Sequence, residues 1–138
     1  MLNRPLSIAL AALSFILPAI AAGGPREDLL TRYAAQARSG PDFSGFSSER
    51  GQVLHTRKFG GGKPDTPACT SCHGPDPRRP GQTPAGKPID PVAVSASPAR
   101  YTDPAKVEKW FRRNCNEVLG RECTAIEKGD WLTYMLQQ

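Results

Sequence analysis

The first part of the chain contains a predominantly apolar run from Leu6 to Leu17. Arg4 precedes this run, and the small-residue sequence Ala19-Ile20-Ala21 follows it. That order is typical of a secretory signal peptide, and the run is shorter than the roughly 20 residues that a membrane-spanning helix needs. We therefore predict a signal peptide over residues 1–21, a periplasmic mature protein, and no membrane-spanning segment.

Four later segments place apolar residues at the helical spacing of about 3.6 residues. They cover residues 25–38, 47 or 48 to about 58, 103 to about 119, and a last helix that opens at Thr124. Asp103-Pro104 suits a helix start, Gly120 suits a helix end, and Thr124-Ala125-Ile126-Glu127 reads as a capping box. We see no credible strand. The sequence therefore predicts an all-α fold, with an N-terminal helical extension over 22–45 and one domain over 46–138.

The most informative motif is Cys69-Thr70-Ser71-Cys72-His73, which reads C-x-x-C-H. Two thiols one helical turn apart can each form a thioether with a haem vinyl group, and the next histidine can bind the iron. A thioredoxin-like redox pair would need a βαβ context, and a zinc site would need a second pair of ligands. Neither accompanies the motif. We therefore predict one covalently attached haem c, held by Cys69, Cys72 and His73.

The composition agrees with an exported haem protein. Only 38% of the residues are apolar, and a buried porphyrin would supply the missing apolar volume. The two remaining cysteines, Cys115 and Cys123, are expected to form a disulfide in an oxidising compartment. The net charge is +5, or about +4 without Arg4, and it is spread along the chain. Without a basic stripe that contains aromatic residues we infer no nucleic-acid partner, whereas an acidic redox partner is compatible.

Residues 75–100 contain seven prolines and no periodicity. We predict an ordered loop that covers one edge of the haem, in which a proline carbonyl accepts a hydrogen bond from the ring of His73. The basic residues of this loop either bind the haem propionates or are surface charges in solvent. They are Arg78, Arg79, Lys87 and Arg100.

The second axial ligand of the iron decides the function, and three side chains are candidates. Met135 would make an electron-transfer cytochrome, but it shares a helical stripe with Trp131 that is typical of core packing. His55 would make a bis-histidine carrier, but its position inside a helix favours packing. Asn114 lies in the middle of an apolar helix face, whereas Asn116 points the opposite way. A buried amide needs a partner, and the residues alone leave open whether that partner is iron or a core hydrogen bond.

Several segments of the sequence resemble the sphaeroides haem protein family of oxygen-binding class I c-type cytochromes. They are residues 60–74 (GGGKPDTPACTSCHG), Gly81-Gln82-Thr83, Gly86-Lys87, Thr102-Asp103, Lys106-Val107-Glu108-Lys109-Trp110, Arg113-Asn114-Cys115, Gly120-Arg121 and Cys123-Thr124. The resemblance extends over residues 47–138. One position departs from it, because His55 stands where we expect a phenylalanine one residue after Leu54.

The resemblance implies a class I cytochrome c fold with extended loops around the haem. It also implies that Asn114 binds ferric iron and that the Cys115–Cys123 disulfide lies beside it. An amide oxygen is a hard, weak ligand that suits ferric iron better than ferrous iron. Reduction should therefore release Asn114 and open the iron to a diatomic ligand such as O2, NO or CO.

The implied electron source is a di-haem cytochrome c, itself reduced by a membrane cytochrome b. One alternative is a simple electron carrier with Met135 or His55 on the iron. The other is an enzyme that acts on NO or O2, which we rank lower because the sequence shows no evident distal acid or base.

Overall fold

The computed structural model describes residues 23–40 and 43–138, so the predicted signal peptide lies outside the described residues. The described parts form five helices, α1 (Pro25–Ala37), α2 (Ser48–Thr56), α3 (Thr70–His73), α4 (Pro104–Leu119) and α5 (Ala125–Leu136). They also form one antiparallel sheet of two short strands, β1 (Gly81–Gln82) and β2 (Pro88–Ile89). The all-α fold class is confirmed. No helix in these parts is both long and apolar enough to cross a membrane.

Helices α2 and α5 cross in close contact, and Gly51 makes this contact possible. A Cβ atom at Gly51 would collide with the backbone carbonyl of Asp130 and would lie 2.8 Å from the Cβ of Tyr134. The buried carboxylate of Asp130 accepts hydrogen bonds from the N–H of Ser47 and from the guanidinium of Arg50, each at 2.7 Å. The crossing therefore combines a close backbone approach with a satisfied buried charge.

Helix α1 packs against α5 and ties the N-terminal extension to the rest of the fold. Leu29 and Tyr33 are completely buried, and the Tyr33 hydroxyl donates to Oε1 of Glu108 at 2.5 Å. Lys128 donates to Oε2 of the same carboxylate at 2.7 Å. Because these residues come from three helices, Glu108 connects α1, α4 and α5.

The predicted ends of α4 and α5 are confirmed. Asp103 accepts a hydrogen bond from the N–H of Lys106 at 3.1 Å, and Gly120 ends α4 with a φ of 74°, which favours glycine. The Thr124 hydroxyl accepts from the N–H of Glu127 at 3.1 Å, and the Glu127 carboxylate accepts from the N–H of Thr124 at 2.8 Å. This is the predicted capping box.

The prediction that the chain has no strand is wrong at one hairpin. Gly81 pairs with Ile89, and Gln82 pairs with Pro88. A ladder of this length is too short to show the alternation of apolar and polar residues by which strands are recognised. The hairpin lies against the C-x-x-C-H segment, since a Cβ at Gly81 would collide with the carbonyl of Cys72.

The rest of the proline-rich loop is held by backbone hydrogen bonds, which supports the prediction of an ordered loop. The N–H groups of Val92 and Ala93 donate to the carbonyl of Pro77 at 3.0 and 2.9 Å. The N–H of Val94 donates to the carbonyl of Met135 at 3.1 Å, which attaches the loop to the last turn of α5. That the loop covers a haem edge stays a prediction.

Candidate haem site

Helix α3 is a single turn that brings Cys69, Cys72 and His73 together. The carbonyl of Cys69 accepts hydrogen bonds from the N–H groups of Cys72 and His73 at 3.3 and 3.0 Å. Gly74 ends the turn with a φ of 71°, a conformation that favours glycine. Both cysteines are free thiols and half-buried. Five consecutive residues thus present two sulfur atoms and one imidazole with the spacing that haem c requires.

The electrostatics of this turn distinguish it from a redox-active C-x-x-C pair. Burial raises the pKa of the Cys69 thiol to about 11, and it also raises the pKa of the Cys72 thiol. Redox-active cysteines have lowered pKa values, because their chemistry needs the thiolate. Burial also lowers the pKa of His73 to about 4, with His55 and Arg100 adding to the effect, so its ring is neutral. Two thiols and a neutral imidazole are the donor set that fits a covalent haem.

The zinc alternative lacks ligands around this turn. In the part of the chain that the structure describes, no three or more His, Cys, Asp or Glu side chains gather into a group that could hold a metal ion.

His55 lies beside the attachment turn and is completely buried. Its Nδ1 atom is 3.3 Å from Nε1 of Trp131, and its Nε2 atom is 3.1 Å from the carbonyl oxygen of Gly74. The ring centroids of His55 and His73 are 6.4 Å apart. Because both ring nitrogens of His55 already have protein partners, the structure favours packing over iron ligation for this residue. Sequence reasoning missed both partners.

Met135 is also completely buried, in a cluster with Val92 and Tyr134. Tyr101 and Trp131 pack against this cluster. The surroundings are those of a core methionine, which is the role that the helical stripe predicted. The structure therefore favours neither of the two alternative axial ligands.

Asn114 is half-buried on α4, whereas Asn116 is exposed, as the helical register predicted. The Asn116 amide donates to the carbonyl of Arg112 at 2.7 Å. Within the described residues, the α4 side chains that form hydrogen bonds include Glu108, Asn116 and Glu117 but not Asn114. The structure thus leaves the Asn114 amide on the inward side of the helix without a protein partner in that part of the chain.

A disulfide joins Cys115, the residue after Asn114, to Cys123 in the link between α4 and α5, with Cα atoms 5.5 Å apart. Both cysteines belong to an apolar cluster against which Cys69 and Phe111 pack. The same cluster therefore holds the end of α4 next to the attachment turn.

Of the polar contacts predicted for the proline-rich loop, the structure corrects the one to the ring of His73. Arg100 donates to two carbonyls of the loop itself, at 2.8 and 2.6 Å, and Arg78 pairs with the aspartate two residues before it at 2.9 Å. Arg78, Arg79 and Lys87 are exposed, which agrees with the surface-charge alternative, and propionate binding by the four residues stays a prediction. Among the hydrogen bonds of the described ranges, none joins a proline carbonyl to the ring of His73. The carbonyl held beside the turn is that of Gly74, through His55.

Comparisons with known proteins show similarity over most of the chain. A family model described as a domain of unknown function, DUF1924, matches residues 41–135. Cytochrome c-type protein SHP from Cereibacter sphaeroides is 49% identical over 121 residues, which cover 88% of this chain and 90% of that protein. The solved structure of oxidised SHP, described as an oxygen-binding cytochrome c, superposes with a TM-score of 0.77 at 47% identity. That match covers 85% of this chain and 100% of the other.

Cytochrome c'' from Methylophilus methylotrophus is a more distant relative, 33% identical over 133 residues, which cover 95% of this chain and 92% of that protein. Its solution structure, described as giving insight into haem-ligand detachment, has a TM-score of 0.70 at 32% identity and covers 82% of this chain and 93% of the other. Both similarities concern the whole domain and not a local motif.

Proposed function

We propose a function from the premise that this chain belongs to the DUF1924 family and to the SHP family of c-type cytochromes, and carries covalently attached haem c. The protein is an exported mono-haem cytochrome that accepts an electron from a partner cytochrome. On reduction, Asn114 leaves the iron, and the protein binds a diatomic gas such as oxygen, nitric oxide or carbon monoxide.

The α3 turn is the part of the chain that would hold the haem. Cys69 and Cys72 would form the two thioether bonds, and His73 would bind the iron from one side. When bound, the haem supplies a one-electron redox centre and a site for the gas. The support for these roles is a pair of half-buried thiols beside a neutral imidazole on one helical turn.

The observation that carries the proposal is the position of Asn114. Asn114 is half-buried on the inward side of α4, and no protein group in the described residues forms a hydrogen bond with its amide, so the amide is available to another ligand. The amide oxygen is a neutral, hard donor, which holds ferric iron better than the softer ferrous ion. Asn114 would therefore hold ferric iron better than ferrous iron and would be released more easily after reduction.

The Cys115–Cys123 disulfide supports a reversible movement. It begins one residue after Asn114 and joins the end of α4 to the residue before the N-cap of α5. This link limits how far the end of α4 can move, so the amide stays close enough to return on oxidation. The alternative ligands His55 and Met135 are held in contacts of their own, which favours Asn114 over a simple electron carrier.

The outer face of α4 favours docking of an acidic electron donor. Trp110 is 41% exposed, and its ring centroid is 6.0 Å from Nζ of Lys109 and 5.4 Å from Cζ of Arg113. A cleft of about 470 Å³ on this face is lined by Lys63, Lys109, Arg112, Arg113, Asn116 and Glu117. The fold thus gathers basic residues that are dispersed in the sequence and places them beside an exposed indole, a residue type enriched in binding hot spots.

Charge reversal on this face tests the docking. Lys109→Glu with Arg113→Glu should slow reduction by a purified di-haem cytochrome c several-fold and flatten the dependence of the rate on salt. Arg38→Glu with Lys58→Glu makes the same change in net charge at exposed positions elsewhere and serves as the control. Equal slowing in both variants would mean that net charge, and not the α4 face, determines the rate.

The role of Asn114 is tested by the visible spectra of the ferric, ferrous and ferrous–CO forms of Asn114→Val, with Asn116→Val as the matched control. We expect the 114 variant to lose the six-coordinate ferric spectrum and to bind carbon monoxide after reduction at least as fast as the natural chain. The 116 variant should be unchanged, because that amide faces solvent. A ferric spectrum that survives Asn114→Val, or a reduced natural protein that takes up no carbon monoxide, would contradict the proposal.

A further inference from the structure

His55 is a completely buried polar residue of the described fold that the proposed function does not use. The indole N–H of Trp131 can only donate a hydrogen bond, so Nδ1 of His55 must be the acceptor. The carbonyl of Gly74 can only accept one, so Nε2 of His55 must carry the proton. The two contacts together define a single neutral tautomer of the ring.

These two hydrogen bonds connect three separate elements of the fold. Trp131 belongs to α5, His55 belongs to α2, and Gly74 directly follows His73 at the end of α3. The indole is itself held by edge-to-face contacts, with ring centroids 5.6 Å from Phe111 and 5.9 Å from Tyr101. A fixed indole therefore orients the imidazole, and the imidazole holds the peptide group that leaves the attachment turn.

Packing alone does not account for a histidine at this position. A phenylalanine ring would fill a similar volume at the crossing of α2 and α5. It would neither accept from the indole N–H of Trp131 nor donate to the carbonyl of Gly74. The choice of histidine therefore adds two directed contacts at the residue next to His73.

We infer that His55 is a positioning residue for His73: it holds the attachment turn against α5 and so keeps the His73 imidazole on the iron. This inference rests on the proposed role of His73 as axial ligand. Its consequence is clearest when a ligand on the opposite side of the iron weakens the bond to His73, as nitric oxide does with ferrous haem. A firmly held turn then keeps His73 bound, whereas a looser turn lets it dissociate.

The test compares the haem-loaded variants His55→Phe and His55→Gln with the natural chain and with Val53→Ala, an exposed position on the same helix. Nitric oxide is added to the reduced proteins, and the absorption spectrum gives the ratio of five- to six-coordinate nitrosyl haem. His55→Phe loses both hydrogen bonds, and loss of the one to the Gly74 carbonyl, which holds the attachment turn, should by itself raise that ratio about five-fold. His55→Gln can restore a donor and an acceptor, so its ratio should lie between those of His55→Phe and the natural chain. The ratio of Val53→Ala should match that of the natural chain.

The midpoint reduction potential is the second measurement. A weaker imidazole ligand stabilises ferric iron less, so the potential of His55→Phe should rise beyond the spread between the natural chain and Val53→Ala. Trp131→Phe removes the indole donor together with part of the ring contacts with Phe111 and Tyr101, and it leaves His55 in place. It should shift both readouts in the same direction, which keeps the inference testable if His55→Phe does not fold. Unchanged nitrosyl coordination together with an unchanged potential would overturn it.

The two proposals can fail separately. If the natural chain binds neither carbon monoxide nor nitric oxide after reduction, the proposed gas binding is wrong, and the potential alone then decides the role of His55. If the natural chain binds the gas normally and His55→Phe behaves like Val53→Ala, only the role of His55 is wrong.

Discussion

The two candidate iron ligands are supported in opposite ways. On the His73 side, a completely buried imidazole joins a fixed indole to the carbonyl of Gly74. On the Asn114 side, the amide is half-buried, and within the described residues the support comes from the covalent link that starts at the next residue. On the proposed assignment, hydrogen bonds hold the residue next to the permanent ligand His73. The replaceable ligand Asn114 is next to a covalent restraint that limits how far its helix end can move.

The largest effect is expected from replacing the two cysteines that would attach the haem. Cys69→Ser with Cys72→Ser should abolish covalent haem attachment, because no other thiol belongs to the α3 turn. Haem absorbance that stays with the polypeptide after denaturation and solvent extraction measures this. The matched pair is Cys115→Ser with Cys123→Ser, which should retain covalent haem. If only the variant Cys115→Ser with Cys123→Ser lost its covalent haem, then Cys115 and Cys123, and not Cys69 and Cys72, would be the haem-attaching cysteines.

The second largest effect is expected at the crossing of α2 and α5, the helices that carry His55 and Trp131. Gly51→Ala places a Cβ against the carbonyl of Asp130, so α2 and α5 must move apart, and we expect unfolding to become easier by about 3 kcal/mol. Guanidinium unfolding of the haem-loaded protein measures the change. Gly60→Ala is the control, because a Cβ there meets no atom within 4 Å. An equal loss in both variants would show that α2 and α5 do not depend on this close approach.

Removing the Cys115–Cys123 disulfide, which is next to Asn114, should have a smaller effect on stability. Its cysteines are separated by 8 positions, and closing so short a loop is worth roughly 2.5 kcal/mol in the unfolded chain. Cys115→Ser with Cys123→Ser should lower the free energy of unfolding by about that amount. It should also slow the return of the ferric spectrum after reoxidation, as stopped-flow absorption would show. Unchanged recovery would mean that the disulfide does not guide the amide.

The smallest effect concerns the contact that joins α1 to α4. Burial alone would raise the pKa of Glu108, but hydrogen bonds from Lys128 and Tyr33 outweigh it and lower the pKa below its usual value. The stabilisation is therefore present above the pKa of an unfolded glutamate and is lost as the pH falls through the folded value. Glu108→Gln should cost about 1 kcal/mol at neutral pH.

Unfolding measured over a range of pH checks this prediction. The difference between Glu108→Gln and the natural chain should shrink as the pH falls below about 4, where an ordinary glutamate is protonated. Glu122→Gln is the control, since Glu122 is exposed and 3.8 Å from Arg112. A difference that does not depend on pH would mean that the Glu108 contacts do not need its charge.

Features that depend on neighbouring residues could be predicted from the sequence. The cap at Asp103, the glycine end at Gly120 and the box at Thr124 each involve residues within one helical turn. The opposite directions of Asn114 and Asn116 follow from helical geometry alone, and the structure shows them.

Features that depend on distant residues could not be predicted. The partners of His55 lie 19 and 76 positions away, so nothing near His55 identifies them. The hairpin at Gly81 has too few residues to form a pattern. Lys63 lies on the basic face of α4 because its backbone N–H and its Nζ both donate to Glu117, 54 positions away.

One apolar cluster has a consequence for how the chain is made. Cys69 packs against the same apolar cluster that contains Cys115 and Cys123, the two cysteines that form the disulfide. Before the disulfide and the haem bonds form, the chain would carry four thiols, and more than one pair of them could be joined. We expect that the order in which the chain meets its oxidant and its porphyrin influences the yield of correctly assembled protein.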